Sequence, residues 1–228
     1  TITAFVIFLT FYKSAGITSI DVTTPFNLGF LFVGVSLPFL VSSLVIGSTA
    51  KTAQLMVDEV RKQFNLNPKI MEGQAKPDYS HCVDIATRNA LREMIFPSAI
   101  SILVPIGVGY FFGMNALGAV LVGSVACSAL LGPFFNNVGT AFDNAKKMIE
   151  DEPSDPAKNT GKGSERHKAA ITGDTVGDPL KDTAGPAINP LIKVMNMVSL
   201  LLIGLILPYD KEIGRRLAEF NVNILSKG

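Results

Sequence analysis

The chain alternates between long apolar runs and charged blocks. No charged residue occurs from Val22 to Ala50, nor from Met94 to Phe142. A membrane-crossing helix needs ~20 mostly apolar residues, each rising ~1.5 Å through ~30 Å of hydrocarbon. Pro25 to Gly47 meets that requirement. So do the two halves of the second stretch, Ile95 to Phe112 and Ala116 to Phe135, parted by Gly113-Met114-Asn115 as a tight turn. Ile188 to Leu207 is the last such run, interrupted by Lys193. Thr1 to Tyr12 is apolar but short. It lacks the methionine and basic start of a signal peptide, so it reads as the end of a helix that begins upstream. The expected fold class is all-α, a polytopic transmembrane helix bundle of four and a half spans in one domain, residues 1–228. The spans lie near 1–12 (partial), 25–47 extending to 64, 95–112, 116–135 extending to 150, and 188–207. Cytoplasmic loops are expected at 65–92 and 151–172.

Overall averages conceal this segregation: 48% of the 228 residues are apolar, 17% are charged, and the net charge is +1. The near balance removes the electrostatic case for nucleic-acid binding. Two cysteines exclude a disulfide framework or a cysteine-zinc protein. Lys51, Arg61, Lys62, Lys69, Lys76, Arg88 and Arg92 crowd one polar block, and Lys146, Lys147, Lys158, Lys162, Arg166, Lys168 and Lys181 the other. The turn at Gly113 carries none. By the positive-inside rule both blocks face the cytoplasm, and the tail from Pro208 lies outside. Ala50 to Phe64 continues the Pro25 span as an amphipathic helix. Asn65 to Ser80 reads as a loop, and Asp151 to Ser164 as a solvated linker.

Candidate chemistry concentrates beyond two spans. Asp174, Asp178 and Asp182 recur every four residues, which on a helix would line one face. Asp178-Pro179 also reads as an N-cap and first helical residue. Either way the carboxylates gather at the mouth of the last span. Like charges ~6 Å apart repel by roughly 3 kcal/mol at an effective dielectric of 20, so the cluster points to a bound divalent cation. Oxygen ligands without His or Cys favour magnesium or calcium over zinc. Lys181 beside Asp178 suits a phosphate. Asp143, Asn144, Lys146 and Lys147 repeat the chemistry past the 116–135 span. Lys193 lies eleven residues beyond Asp182, ~16 Å deeper on a helix. A charge within a span costs ~2.5–3.5 kcal/mol and points to a transport pathway. His81 and His167 lack ligand spacing, and His167 reads as structural.

These residues resemble the membrane-bound, ion-pumping inorganic pyrophosphatases. GDTVGDPLKDTAGPAINPLIKVMN is similar to that family's last-helix signature, and FDNAKKMIE to its aromatic-Asp-Asn-Ala-Lys-Lys segment. EVRKQF, MEGQAKPDY, EMIFP and GKGSERHKAA add to the likeness. The resemblance implies the C-terminal part of a sixteen-span subunit of a homodimer. It implies magnesium-dependent hydrolysis of pyrophosphate at the cytoplasmic face, coupled to proton or sodium transport, in a cell (inner) membrane or a vacuolar-type one. Carried over by position, Asp143 and Asp178 hold magnesium, Lys146 and Lys181 contact pyrophosphate, and Asp182 activates water. Asp174, Asn144 and Lys147 support the cluster, and Lys193 is the ion-gate lysine. Determinants of the pumped ion and of activation by K+ lie upstream of Thr1 in that family, and the chain alone is expected to be inactive. One departure is Gly139-Thr140-Ala141-Phe142 before Asp143, where the family has Gly-Gly-Ala-Trp. The alternative is a non-enzymatic cation transporter or channel with an acidic cytoplasmic mouth, which would need the carboxylates but not the lysines.

Overall fold

The computed structural model describes the backbone of residues 2–225. Thr1 and residues 226–228 lie outside the described residues, and so do the side chains of residues 211 and 216–225. Among the described residues the fold is all-helical, apart from one isolated bridge between Asp155 and Thr160. Six helices follow in order: α1 (Ile2–Ser14), α2 (Pro25–Leu66), α3 (Tyr79–Glu93), α4 (Ile95–Glu150), α5 (Glu165–Asp178) and α6 (Gly185–Leu225), the last two joined by a π-helical segment, Pro179–Ala184. Three helical stretches are long and apolar enough to cross a membrane: Pro25–Leu66, Tyr79–Glu150 and Glu165–Asp210.

Local chemistry sets the helix ends. Gly16, at φ 68°, closes α1, with Ile17 N–H bonding back to the Tyr12 carbonyl and Gly16 N–H to that of Lys13. Thr24 caps α2 by accepting from Asn27 N–H, and Pro25 fills the first helical position, where no donor is needed. Within α4, Gly113 (φ 82°, ψ −178°) breaks the helix in a conformation that a side chain resists. The next N–H, at Met114, donates to Asp210 Oδ1 of α6 at 2.8 Å.

The second part of α4 is the central rod. Ala116, Leu117, Ala119 and Val120 are fully enclosed, with Phe11, Leu37, Val41, Leu191 and Met195 packed around them. α2 meets this rod backbone to backbone. A Cβ on Gly34 would lie 2.1 Å from the Val120 carbonyl oxygen, and one on Gly123 would lie 2.3 Å from that of Leu31. Small residues permit this approach, which apolar surroundings reward through close packing.

Three expectations need correction. The stretch 65–92 is not all loop, because Asp78 accepts from His81 N–H and starts α3. Gln63 clips that start, taking Asp78 N–H on its amide oxygen and donating to the Asp78 carbonyl. Residues 151–164 form a tied turn: Asp155 and Thr160 pair, Arg166 grips Glu152 at 2.5 Å, and Gly161 sits against Ser154. The loop 151–172 therefore gives way at Glu165, where Ser164 caps α5. Finally, α6 does not end at Leu207. It runs through Pro208 to Leu225, carrying into the helix the segment read as a tail.

Candidate functional site

The cluster forms where α4 and α5 leave the apolar region and cross. Two glycines make the crossing possible. A Cβ on Gly139 would lie 2.5 Å from the Gly177 carbonyl oxygen and 2.6 Å from Lys181 Cβ. Phe142 lies over Gly173 and Gly177, with its ring 2.9 Å from where a Gly173 Cβ would be. One helical turn past Gly139, Asp143 reaches the facing segment.

There the charges alternate. Lys181 Nζ lies 2.9 Å from Asp143 Oδ2 and 2.9 Å from Asp178 Oδ1. Lys147 adds a second ammonium to Asp143 at 2.9 Å. Lys146 bonds Asp174 Oδ2 across the helix pair and lies 3.6 Å from Asp143 Oδ1. Asp174 is only 6% exposed, and its Oδ1 is buried with no partner among the described residues. Hydrogen bonds from Lys181 and then Lys147 hold the Asp143 carboxyl well below the usual carboxylate range. Hydrogen bonds to Asp143 and then Asp178 hold the Lys181 ammonium above the usual lysine range.

The structure thus brings together Asp143, Lys146, Lys147, Asp174, Asp178 and Lys181. Asp182 and Asn144 are exposed and outside this network. The four-residue spacing predicted one carboxylate face, but the π-helical segment changes the register: the Gly185 N–H bonds the Leu180 carbonyl five residues back. Asp174 is buried, Asp178 is half-exposed, and Asp182 turns out to solvent. Lys193 is half-buried in α6 and makes no ion pair with a described residue.

Sequence reasoning missed two ties. His167, 5% exposed, accepts from Gly163 N–H on Nδ1 at 3.1 Å, which leaves the proton on Nε2 to donate to Glu150 Oε1 at 2.9 Å. This neutral imidazole fastens the start of α5 to the end of α4. The Lys146–Asp174 pair likewise spans 28 positions, beyond any i,i+4 rule.

A bundle of long apolar helices with an alternating carboxylate–ammonium cluster at their polar ends defines an integral membrane protein. The sequence profile described as "Inorganic H+ pyrophosphatase" matches residues 1–202, and the chain belongs to that family. It is 47% identical over 208 residues to a putative K(+)-stimulated pyrophosphate-energized sodium pump of Clostridium tetani, covering 91% of this chain and 30% of that protein. It is 45% identical over 209 residues to a K(+)-insensitive pyrophosphate-energized proton pump of Streptomyces avermitilis, covering 90% and 26%. Against the K(+)-stimulated pyrophosphate-energized sodium pump of Thermotoga maritima it is 43% identical over 173 residues, covering 76% and 23%. The chain therefore spans less than a third of these relatives.

Proposed function

We propose that this chain forms part of a homodimeric membrane pump that hydrolyses magnesium pyrophosphate at its cytoplasmic face and moves protons or sodium across the bilayer. The observation that supports this most is the alternation of Asp143, Lys181, Asp178, Lys146 and Asp174 across two helix ends. A cation pathway needs the acids alone. A tetra-anion and its leaving phosphate also need the ammonium groups.

The donor set fits magnesium. Among the described residues no three carboxylate, imidazole or thiolate groups converge to form a closed cage. Magnesium needs none, since one or two carboxylates with water and phosphate oxygens are its usual partners. Asp143 and Asp178, both bonded to Lys181, offer two carboxylates from facing segments, and Asp174 keeps a free buried oxygen behind them. Bound there, the metal supplies charge neutralisation for the phosphates. Lys146 and Lys181 exchange carboxylate partners for phosphate oxygens. Asp182 faces solvent in this chain, outside the cluster; the role carried over from the family resemblance is to take a proton from the attacking water together with an aspartate on a helix outside this chain. Lys193, deeper in α6, holds the ion gate with an acidic partner outside this chain.

The test is phosphate release from magnesium pyrophosphate in membranes carrying the full-length protein. Asp182→Asn abolishes it, and full residual activity would remove the catalytic assignment. Loss in Lys146→Met and Lys181→Met supports the polyanion site. Retained release in both would show that neither lysine is required to hold the pyrophosphate.

A further inference from the structure

α3 and the first part of α4 make one descending rod. The Met94 N–H bonds the Ala90 carbonyl and the Met94 carbonyl accepts from Ser98 N–H, so helical hydrogen bonding runs through the junction. The rod lies antiparallel to α2. Asp78 is clipped to Gln63 near the end of α2, and the Phe112 ring packs on Phe26 and Phe30 near its start, with centroids 6.4 and 4.8 Å apart. Thr49 of α2 bonds Thr183 of the π-helical segment at 3.4 Å, so the junction and the charged cluster lie at the same end of the bundle.

The outer row of this rod changes chemistry with depth. Arg88, Leu91, Arg92 and Ile95 fall at i, i+3, i+4 and i+7, and Leu103 and Tyr110 continue the same face at steps of eight and seven. All six side chains are exposed. From Ile95 to Phe112 the rod covers about 27 Å, close to the ~30 Å of bilayer hydrocarbon, so Ile95 marks the edge of the acyl layer. Arg92 lies ~4.5 Å beyond that edge, inside a headgroup layer ~5–7 Å thick, and Arg88 lies ~10 Å beyond it, at the outer border. At the far end Tyr110 takes the interfacial place of an aromatic ring. Large side chains at Ile95 and Leu103 suit acyl chains. Helix contacts within this bundle use glycine instead, as at Gly34 and Gly123.

The two arginines are available to a ligand. Arg92 forms no ion pair with a described residue. Arg88 Nε holds Asp84 at 2.7 Å, an exposed pair that water weakens and a phosphate can replace. Glu93 is half-buried, ~100° around the helix from Arg92. Two guanidinium forks one helical turn apart match phosphate oxygens in both shape and charge.

We propose that Arg88 and Arg92 form a binding site for a phospholipid of net negative charge in the leaflet bordering the charged cluster. Its phosphate lies on the two guanidinium groups, its glycerol against Leu91, and its acyl chains along Ile95 and Leu103. The inference rests on membrane insertion and stands apart from the pyrophosphate reading.

Site-directed quenching tests it in the full-length protein in nanodiscs. Ile95→Cys, with the protein's other cysteines replaced by serine, carries a bimane dye. The discs are phosphatidylcholine with a small fraction of either brominated phosphatidylglycerol or brominated phosphatidylcholine. The brominated phosphatidylglycerol is expected to quench at about fivefold or more lower mole fraction, and Arg88→Gln/Arg92→Gln to remove that preference. Lys69→Gln, which deletes a charge far beyond the headgroups, should leave it intact. Equal quenching by the two lipids would overturn the proposal, as would a preference that survives loss of both arginines. No quenching by either would show that protein covers this face, and overturns it too. Should the labelled protein not assemble, native mass spectrometry of the unlabelled protein decides. Arg88→Gln/Arg92→Gln should retain at least about fivefold less phosphatidylglycerol than the parent, and equal retention overturns the site.

Discussion

At the scale of single residues, the cluster is an electrostatic device whose members hold one another charged. The Asp143 carboxyl is depressed by its two lysines, and the Lys181 ammonium is raised by its two aspartates. A depressed carboxyl stabilises the fold above the ordinary carboxylate range and loses that contribution only as pH falls through its lowered value. A raised ammonium keeps its contribution until pH climbs beyond the ordinary lysine range. The Tm difference between parent and Asp143→Asn should therefore stay constant from about pH 5 to 9 and shrink only on stronger acidification. Thermal melts of the full-length protein in detergent would measure it. His167 acts differently, as a neutral bridge. His167→Ala leaves the Gly163 N–H and one Glu150 oxygen without partners, at a cost of about 1–3 kcal/mol. His167→Gln retains a donor toward Glu150 and should recover part of that loss. Equal melting of the two variants would mean that the bridge contributes only packing.

At the scale of elements, the break in α4 is the most specific junction. Gly113 adopts a glycine conformation, and a Cβ there would lie 2.7 Å from Asp210 Oδ1, the oxygen that caps Met114. Asp210→Ala should cost about 1 kcal/mol as a lost cap, with Asn tolerated in its place. Gly113→Ala should cost more, about 1–3 kcal/mol, through the strained backbone and the clash. Melting curves of the three variants give that order or refute it. Apolar run length and charge segregation made the long helices legible, since they read the bilayer constraint directly. The Gly113 break was legible too, as a Gly-Met-Asn interruption. α3 was not, because its evidence is a side-chain clip between Gln63 and Asp78, fifteen positions apart. Nor was the π-helical segment, where proline and a backbone register decide which of three evenly spaced aspartates is buried. The site was legible as a list of residue types. Its pairing was not, because Lys146 finds Asp174 only after Gly139 and Gly177 let two helices touch.

At the scale of the whole molecule, the arrangement explains why charge chemistry gathers at the helix ends. The α4 rod is enclosed by apolar neighbours along Ala116 to Leu121, and α6 packs against it more extensively than any other element does. Motion at the crossing of α4 and α5 is thus tied to α6, which carries Lys193 farther along the same continuous helical path. That path joins the charged cluster to the half-buried Lys193 ammonium through continuous helical backbone, which in the proposed pump would be half of a coupling device. It supplies no acidic partner for Lys193 among the described residues, and the proposed hydrolysis would draw its second water-activating carboxylate from outside this chain. Two helix ends with two lysines can hold a polyanion but cannot enclose it. The chain expressed alone in lipid nanodiscs should therefore remain helical by circular dichroism and release no phosphate from magnesium pyrophosphate. Full-length protein in the same lipid should release it. Measurable turnover by the isolated chain would place the whole hydrolytic apparatus within these 228 residues and overturn the division of labour argued from the cluster.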